Sequence, residues 1–451
     1  MKAPALCLVV LFCIAVACTF GFAPSAFADG AVYAMTNAIG NNQILVFHRA
    51  ADGTLTLVQT ITTGGGGSGL QLGGTDSLAS QGGLILDLNH KRLFAVNTET
   101  LASNSSDCQV GTITSFLVAQ DGTLTFADRV SSGGLYPNSL TIADRQDDRE
   151  KGWDEEDGHH VMRLLYVLNA GGPGMSPTCG TGPNITGLTV DRKGSMTSLS
   201  NSTQPIDPGA LDGTGSGENC NVGGFPVPAF NCGLNPPAFP RSPAQVGFTP
   251  DGHQLLVTVK GTNTIYVFPV GDRGRVGTPT TTQAPGPGLP TYFGFTFDGN
   301  EHLLLSEAFG ASPSIPAGGT GAVSSFTITR TGKLRTISAD IGDSGTAACW
   351  VALDPVRGRY LYVSNNLSAS LSSYTVGKDG SLTLLASVAG SDSGPNDMAV
   401  AREGNTGFLY TLASGGGTVD AYRINSNGSL TALGSVPGMP VNDGAQGLAA
   451  F

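Results

Sequence analysis

Alternation of apolar and polar positions organises this chain, and it comes in short runs. Ile44-Leu45-Val46-Phe47, Ile113-Thr114-Ser115-Phe116, Ile185-Thr186-Gly187-Leu188, Ile265-Tyr266-Val267-Phe268, Val323-Ser324-Ser325-Phe326, Leu371-Ser372-Ser373-Tyr374 and Val419-Asp420-Ala421-Tyr422 share one form. A period of two that closes on an aromatic residue or leucine predicts a half-buried strand. Each run leads into a glycine turn: Asp52-Gly53, Asp121-Gly122, Lys193-Gly194, Arg273-Gly274, Thr331-Gly332, Asp379-Gly380 and Asn427-Gly428. Glycine there supplies the positive φ that a tight hairpin needs, and the residues after it begin another strand.

A more apolar strand precedes each run, at 32–35, 93–96, 164–167, 255–258, 303–305, 360–363 and 409–412. Before that stands a short strand of small residues, as in Pro243-Ala244-Gln245-Val246-Gly247-Phe248 or Pro395-Asn396-Asp397-Met398-Ala399-Val400. The unit is four strands and it occurs seven times, which predicts an all-β, seven-bladed β-propeller of four-stranded blades. The first unit lacks its small-residue strand, and Gln446-Gly447-Leu448-Ala449-Ala450-Phe451 is a spare one at the other end. The C-terminal strand is therefore expected to complete the first blade, closing the ring and removing an open edge.

Composition agrees: Gly is 65 of 451 residues and only 13% are charged. The chain starts with Met1-Lys2, an apolar run over 5–22, and Ala26-Phe27-Ala28. This pattern reads as a signal peptide cleaved after Ala28, leaving 29–451 as one secreted or periplasmic propeller domain. A retained membrane anchor and a lipoprotein cysteine at Cys18 are the alternatives. No later segment approaches the roughly 18 apolar residues of a membrane span. A net charge of −11, one unit more negative without Lys2, argues against nucleic acid and anionic membrane surfaces as partners.

Cys108, Cys179, Cys220, Cys232 and Cys349 remain after the leader. An oxidising compartment favours disulfides, with Cys220–Cys232 and Cys108–Cys179 the candidate pairs and Cys349 a buried thiol. Insertions interrupt the repeat at 64–81 (glycine-rich), 145–162 (highly charged) and 205–241 (Gly/Pro-rich). Each reads as a surface loop or as a lid over a ligand. Asp154-Glu155-Glu156-Asp157 with His159-His160 reads as a solvated charge run, the alternative being a weak divalent-metal patch. No C-x-x-C or H-x-x-x-H spacing occurs, so no metal or cofactor is expected.

The repeat, together with Thr249-Pro250-Asp251-Gly252, Asp354-Pro355 and Leu361-Tyr362-Val363-Ser364-Asn365, resembles the seven-bladed propeller lactonase family. That family includes 6-phosphogluconolactonases and carboxymuconate lactonizing enzymes. The resemblance implies an active site at the mouth of the central channel, built from a Pro-His start on the third innermost strand, Pro-Arg-His on the fourth and an Asn-Glu pair soon after. This chain departs at each position. The third strand reads Pro137-Asn138-Ser139, the fourth Pro243-Ala244-Gln245, and the Asn-Glu pair aligns with Val259-Lys260. The Asn-Arg pair common on the next blade aligns with Glu307-Ala308.

Aligning the innermost strands gives one ring of Gly82, Asn138, Ala244, Thr291, Cys349, Asn396 and Gln446, and a second of Gly83, Ser139, Gln245, Tyr292, Trp350, Asp397 and Gly447. Asp397 is the only carboxylate, and no His, Lys or Arg appears. Asn138, Gln245, Tyr292, Trp350, Asn396 and Asp397 are the candidate ligand-binding residues, suited to a small polar or sugar-like ligand or a partner protein; equally, they fill the channel. No catalytic residue is assigned. A non-catalytic binding or scaffold propeller is the first expectation. The alternative is an active lactone hydrolase or cyclase drawing on Lys260, Glu307, Asp397 and Arg241. A metal-dependent or redox propeller would need ligands that the isolated His48, His90 and His253 do not supply.

Overall fold

The computed structural model describes residues 30–69, 76–99, 110–147, 160–171, 182–207, 219–222, 225–228, 243–283, 291–308 and 320–451. The leader with its cleavage site, Cys108, Cys179, Cys232, Arg241 and 148–159 lie outside the described residues, and so do the two candidate disulfides. Among the described residues no helix is long and apolar enough to cross a membrane.

The expected strands form and pair antiparallel into seven four-stranded blades. From the centre outward, blade 1 is Leu448–Ala450, Gly30–Met35, Gln43–Arg49 and Leu55–Thr62. Blade 2 is Leu84–Asp87, Arg92–Asn97, Val110–Val118 and Leu124–Leu135. Blade 3 is Pro137–Asp147, His160–Asn169, Asn184–Val190 and Met196–Ser198, with Gln204–Pro205 beside its third strand. Blade 4 is Pro243–Phe248, Gln254–Val259, Thr264–Pro269 and Thr280–Gln283. Blade 5 is Tyr292–Phe297, Leu303–Glu307, Ala322–Ile328 and Leu334–Gly342. Blade 6 is Ala348–Leu353, Tyr360–Asn365, Ser370–Val376 and Leu382–Ser391. Blade 7 is Pro395–Glu403, Thr406–Ala413, Thr418–Ile424 and Leu430–Pro437. A separate hairpin, Asn219–Val222 with Phe225–Pro228, lies in the third insertion.

The ring closes as expected. Val32, Tyr33 and Ala34 pair with Ala450, Ala449 and Leu448, so one blade holds both distant parts of the chain. Arg49 reinforces the seam: its Nε donates to the Phe451 carbonyl at 2.9 Å, its Nη2 reaches Glu403 Oε2 at 3.1 Å, and its guanidinium lies 5.5 Å from the Phe408 ring centroid.

Inner and outer strands differ as packing requires. The second strands are almost wholly buried between neighbouring blades, whereas the outermost strands alternate toward solvent. The hairpin glycines at 53, 122, 194, 274, 332, 380 and 428 all have φ between 72° and 90°. They also knit the blades together. A tyrosine on the second strand donates its hydroxyl to the turn carbonyl of the next blade: Tyr33 to Gly122 (2.8 Å), Tyr166 to Gly274 (2.8 Å), Tyr362 to Gly428 (2.9 Å) and Tyr410 to Gly53 (3.0 Å). Blade 2 carries Phe94 at that position, and Ser115 Oγ reaches Gly194 O at 2.6 Å instead.

Candidate functional site at the channel mouth

Each complete innermost strand from blade 3 to blade 7 begins with a bulge, at Pro137/Ser139, Pro243/Gln245, Tyr292/Phe295, Ala348/Val351 and Pro395/Met398. A bulge frees an amide from the ladder, and a buried amide needs another partner. In blades 4, 5 and 7 that partner is a ring side chain, and one of these also serves the closing strand. Val246 N donates to Ser139 Oγ (3.1 Å), Phe295 N to Gln245 Oε1 (2.6 Å), Met398 N to Asp397 Oδ1 (2.8 Å) and Leu448 N to Asp397 Oδ2 (3.1 Å).

The register corrects the ring at blade 5. Tyr292 pairs with Glu307 and so occupies the place of Pro137, Pro243, Ala348 and Pro395, two positions from the one assigned by sequence. The ring residues of blade 5 are Phe293 and Gly294, in place of Thr291 and Tyr292. In blades 3, 4 and 7 a proline opens the strand. Pro290 lies earlier relative to its strand, and aligning on it shifted the register.

A segment of the chain crosses this mouth. Residues 76–83, the end of the glycine-rich insertion and the lead-in to blade 2, receive hydrogen bonds from around the ring. Asn138 Nδ2 donates to Leu78 O (3.2 Å), Lys260 Nζ to Ala79 O, and Trp350 Nε1 (2.9 Å) and Gln446 Nε2 (2.7 Å) to Ser80 O. Four nitrogen donors thus converge on three consecutive carbonyls. Gln446 Oε1 also accepts from Leu78 N at 3.0 Å, and Tyr136 OH donates to Ser77 O at 2.6 Å. Gln81 pairs its carboxamide with the Val351 backbone in both directions, at 3.0 and 3.1 Å. The 64–81 insertion is therefore not simply a surface loop: its residues 65–69 and 77–80 are buried.

The ionisable groups here are shaped by burial. Asp76 is pushed up and Lys260 pushed down, because both lose water, and their opposite charges offset part of each shift. Lys260 Nζ lies 5.0 Å from the Phe293 ring centroid, and Phe293 meets Trp350 edge-on at 5.2 Å. Burial lifts the Asp397 carboxyl to about 8, with the negative charge of Asp76 adding to the rise and the amides of Met398 and Leu448 opposing it. The Cys349 thiol is buried and pushed well up. Two acceptors at this centre, Asp76 Oδ2 and Asn138 Oδ1, are buried without a hydrogen-bond partner.

The other candidates separate. Gln245 bridges blades 4 and 5 through its two bonds to Phe295. Asn396 accepts from Asn366 Nδ2 at 2.5 Å and donates to Ala445 O at 3.5 Å. Tyr292 lies beside Glu307, whose carboxyl is held well above its ordinary range by burial and by the neighbouring Asp340. His90 bridges Asp87 and Asp144 (2.8 and 3.4 Å), and His253 accepts from Arg145 at 2.8 Å, both at the far end of the innermost strands. At that end a groove of about 780 Å³ between blades 4 and 5 is lined by Asp251, His253, Glu301, His302 and Arg330. No group of three or more metal-ligating side chains occurs among the described residues.

Asp76 and Gln81 were missed because they precede the strand alignment. Their available signal was a polar, small-residue run, Asp76-Ser77-Leu78-Ala79-Ser80-Gln81, directly before Gly82-Gly83.

Comparison with known proteins agrees with this architecture. The family described as lactonase, 7-bladed beta-propeller, matches residues 308–437. A protein of Bacteroides fragilis, provisionally assigned as a 6-phosphogluconolactonase, superposes with a TM-score of 0.62 at 16% identity over 95% of this chain and 99% of its own. The periplasmic gluconolactonase PpgL of Pseudomonas aeruginosa gives 0.59 at 17% identity, over 94% and 98%. No match is found among curated proteins. In fold over nearly its whole length, and in sequence over residues 308–437, the chain is similar to the seven-bladed lactonase propellers.

Proposed function

We propose that this is an exported propeller of the lactonase fold that binds a small polar ligand at the channel mouth without hydrolysing it. One observation carries the reading: nitrogen donors from blades 3, 4 and 6 and from the lead-in to the closing strand converge on three adjacent carbonyl oxygens. Such a donor set is complementary to an oxygen-rich molecule. A general base poised in water is missing from the described mouth, since its carboxyls are buried and already bonded to backbone amides. Export rests on the basic, apolar and Ala26-Phe27-Ala28 segments of the leader.

A second reading, lactone hydrolysis, draws on Lys260: burial pushes its ammonium down toward neutrality, which is how a lysine becomes a base. Calorimetric titration with D-gluconate and glucono-1,5-lactone tests the first reading. Saturable binding that weakens about tenfold or more in Lys260→Met is expected, since a charge-assisted bond is lost. Absence of binding across a panel of sugar acids, polyols and lactones would sink it.

A further inference from the structure

The mouth is filled from within, and the two halves of the filling segment are held very differently. Gln81 is well satisfied. Its amide donates to Ala244 O (3.0 Å), its carbonyl accepts from Ser139 Oγ (2.7 Å), and its side chain pairs with Val351. Gly82 follows at φ 88°, a conformation that glycine adopts freely.

The tip, residues 76–80, is held at a cost. Ala79 is buried at φ 54°, where a side chain is strained. Asp76 Oδ2 is buried without a partner. The Asp76 carboxylate and the Lys260 ammonium both give up water to stand near each other.

We propose that residues 76–80 are an internal occupant of the ligand site, whose carbonyls imitate the ligand's oxygens and whose withdrawal, hinged at Gln81-Gly82, admits it. This rests on the reading that a small polar ligand binds at the mouth. The competing molecule must offer several acceptor oxygens to Asn138, Trp350 and Gln446. It needs one negative oxygen to take over Lys260 when Asp76 leaves, and a hydroxyl for Asn138 Oδ1. A polyhydroxylated acid has all three. Its apparent affinity is lowered by the fraction of molecules in which the tip is seated.

Two substitutions outside the donor set shift that fraction in opposite directions. Tyr136→Phe deletes the bond to Ser77 O and loosens the tip. Ala79→Gly removes the strain at φ 54° and seats it more firmly. Calorimetry with D-gluconate should give about fivefold tighter binding for Tyr136→Phe and about fivefold weaker binding for Ala79→Gly, the size expected for one hydrogen bond or one strained residue. Hydrogen exchange should show the Leu78 amide losing protection on saturation with D-gluconate while the Gln81 amide keeps it. Gluconate binding that neither substitution changes, with Leu78 still protected, would overturn the internal occupant and leave the binding reading standing. No binding of D-gluconate or of any other sugar acid, polyol or lactone of the panel by the wild type or by either variant, all folded, would overturn both.

Discussion

Gln81 occupies the space that a side chain on Gly294 would need: a Cβ there would lie 2.1 Å from Gln81 Oε1 and 2.7 Å from Cys349 O. The relationship explains both residues. In blades 3, 4 and 7 a ring side chain satisfies the bulge amide of the following strand. Blade 5 has glycine at that position, and Gln81, arriving from across the channel, supplies the carboxamide that Val351 N needs. The segment that fills the mouth is thus part of the ring's own bonding.

Gly294→Ala should expel the Gln81 carboxamide and cost on the order of 2–3 kcal/mol, from overpacking and an orphaned amide. In Gln81→Ala the methyl at position 294 is relieved of its nearest clash and keeps only the one with Cys349 O, and the Val351 amide is orphaned in either single variant, so the double variant should be less destabilised than the sum of the singles. Urea unfolding of the four proteins checks this, and strict additivity would contradict it.

Ring closure makes Arg49 a residue of global consequence. Arg49→Met keeps much of the apolar volume but removes the bonds to Phe451 and Glu403, and it should destabilise the fold by about 3 kcal/mol. Hydrogen exchange should show loss of protection first at Met35 and Phe451, whose amides donate to Gly447 O and Ala31 O across the ladder of the closing strand.

The tyrosine staples predict a graded effect. Tyr362→Phe should cost about 1 kcal/mol, the net worth of one buried hydrogen bond. Gly428→Ala should cost more, because its Cβ would lie 2.4 Å from the Tyr360 ring at φ 83°. Thermal unfolding should rank wild type above Tyr362→Phe above Gly428→Ala.

Asp397 gives the pH dependence a sign. Its carboxyl titrates at about 8 in the fold against an ordinary 3.8, so the folded state binds the proton more tightly than the unfolded chain. Its contribution is full below about pH 4 and is lost as pH rises through 8, at no more than roughly 1.4 kcal/mol per pH unit. Asp397→Asn should flatten the fall in stability between these values, as measured by urea midpoints at constant ionic strength. An unchanged slope would place the effect elsewhere.

The fold was legible because its signals are local and repeated. Alternation, the glycine turns and the spare strand at 446–451 each recur or complement a visible gap. The mouth was legible in part: Asn138 and Trp350 do meet the segment that crosses it, and Asp397 accepts from the Met398 and Leu448 amides beside it. Gln81 and Asp76 reach the centre through a connection that crosses the channel, and no periodicity reports such a path. Tyr292 was displaced by one misleading proline: in blades 3, 4 and 7 proline is the first paired residue of the strand, whereas in blade 5 pairing starts at Tyr292, two residues after Pro290.

The most direct test of the proposed function is lactone hydrolysis by protein comprising residues 29–451, followed with a pH indicator on gluconolactone, its 6-phosphate and carboxymuconolactone. Rates equal to the buffer blank from pH 5 to 9 are expected, together with saturable binding of at least one sugar acid or lactone. Turnover well above the blank that disappears in Lys260→Met would contradict the proposed function and make Lys260 the base of a working hydrolase.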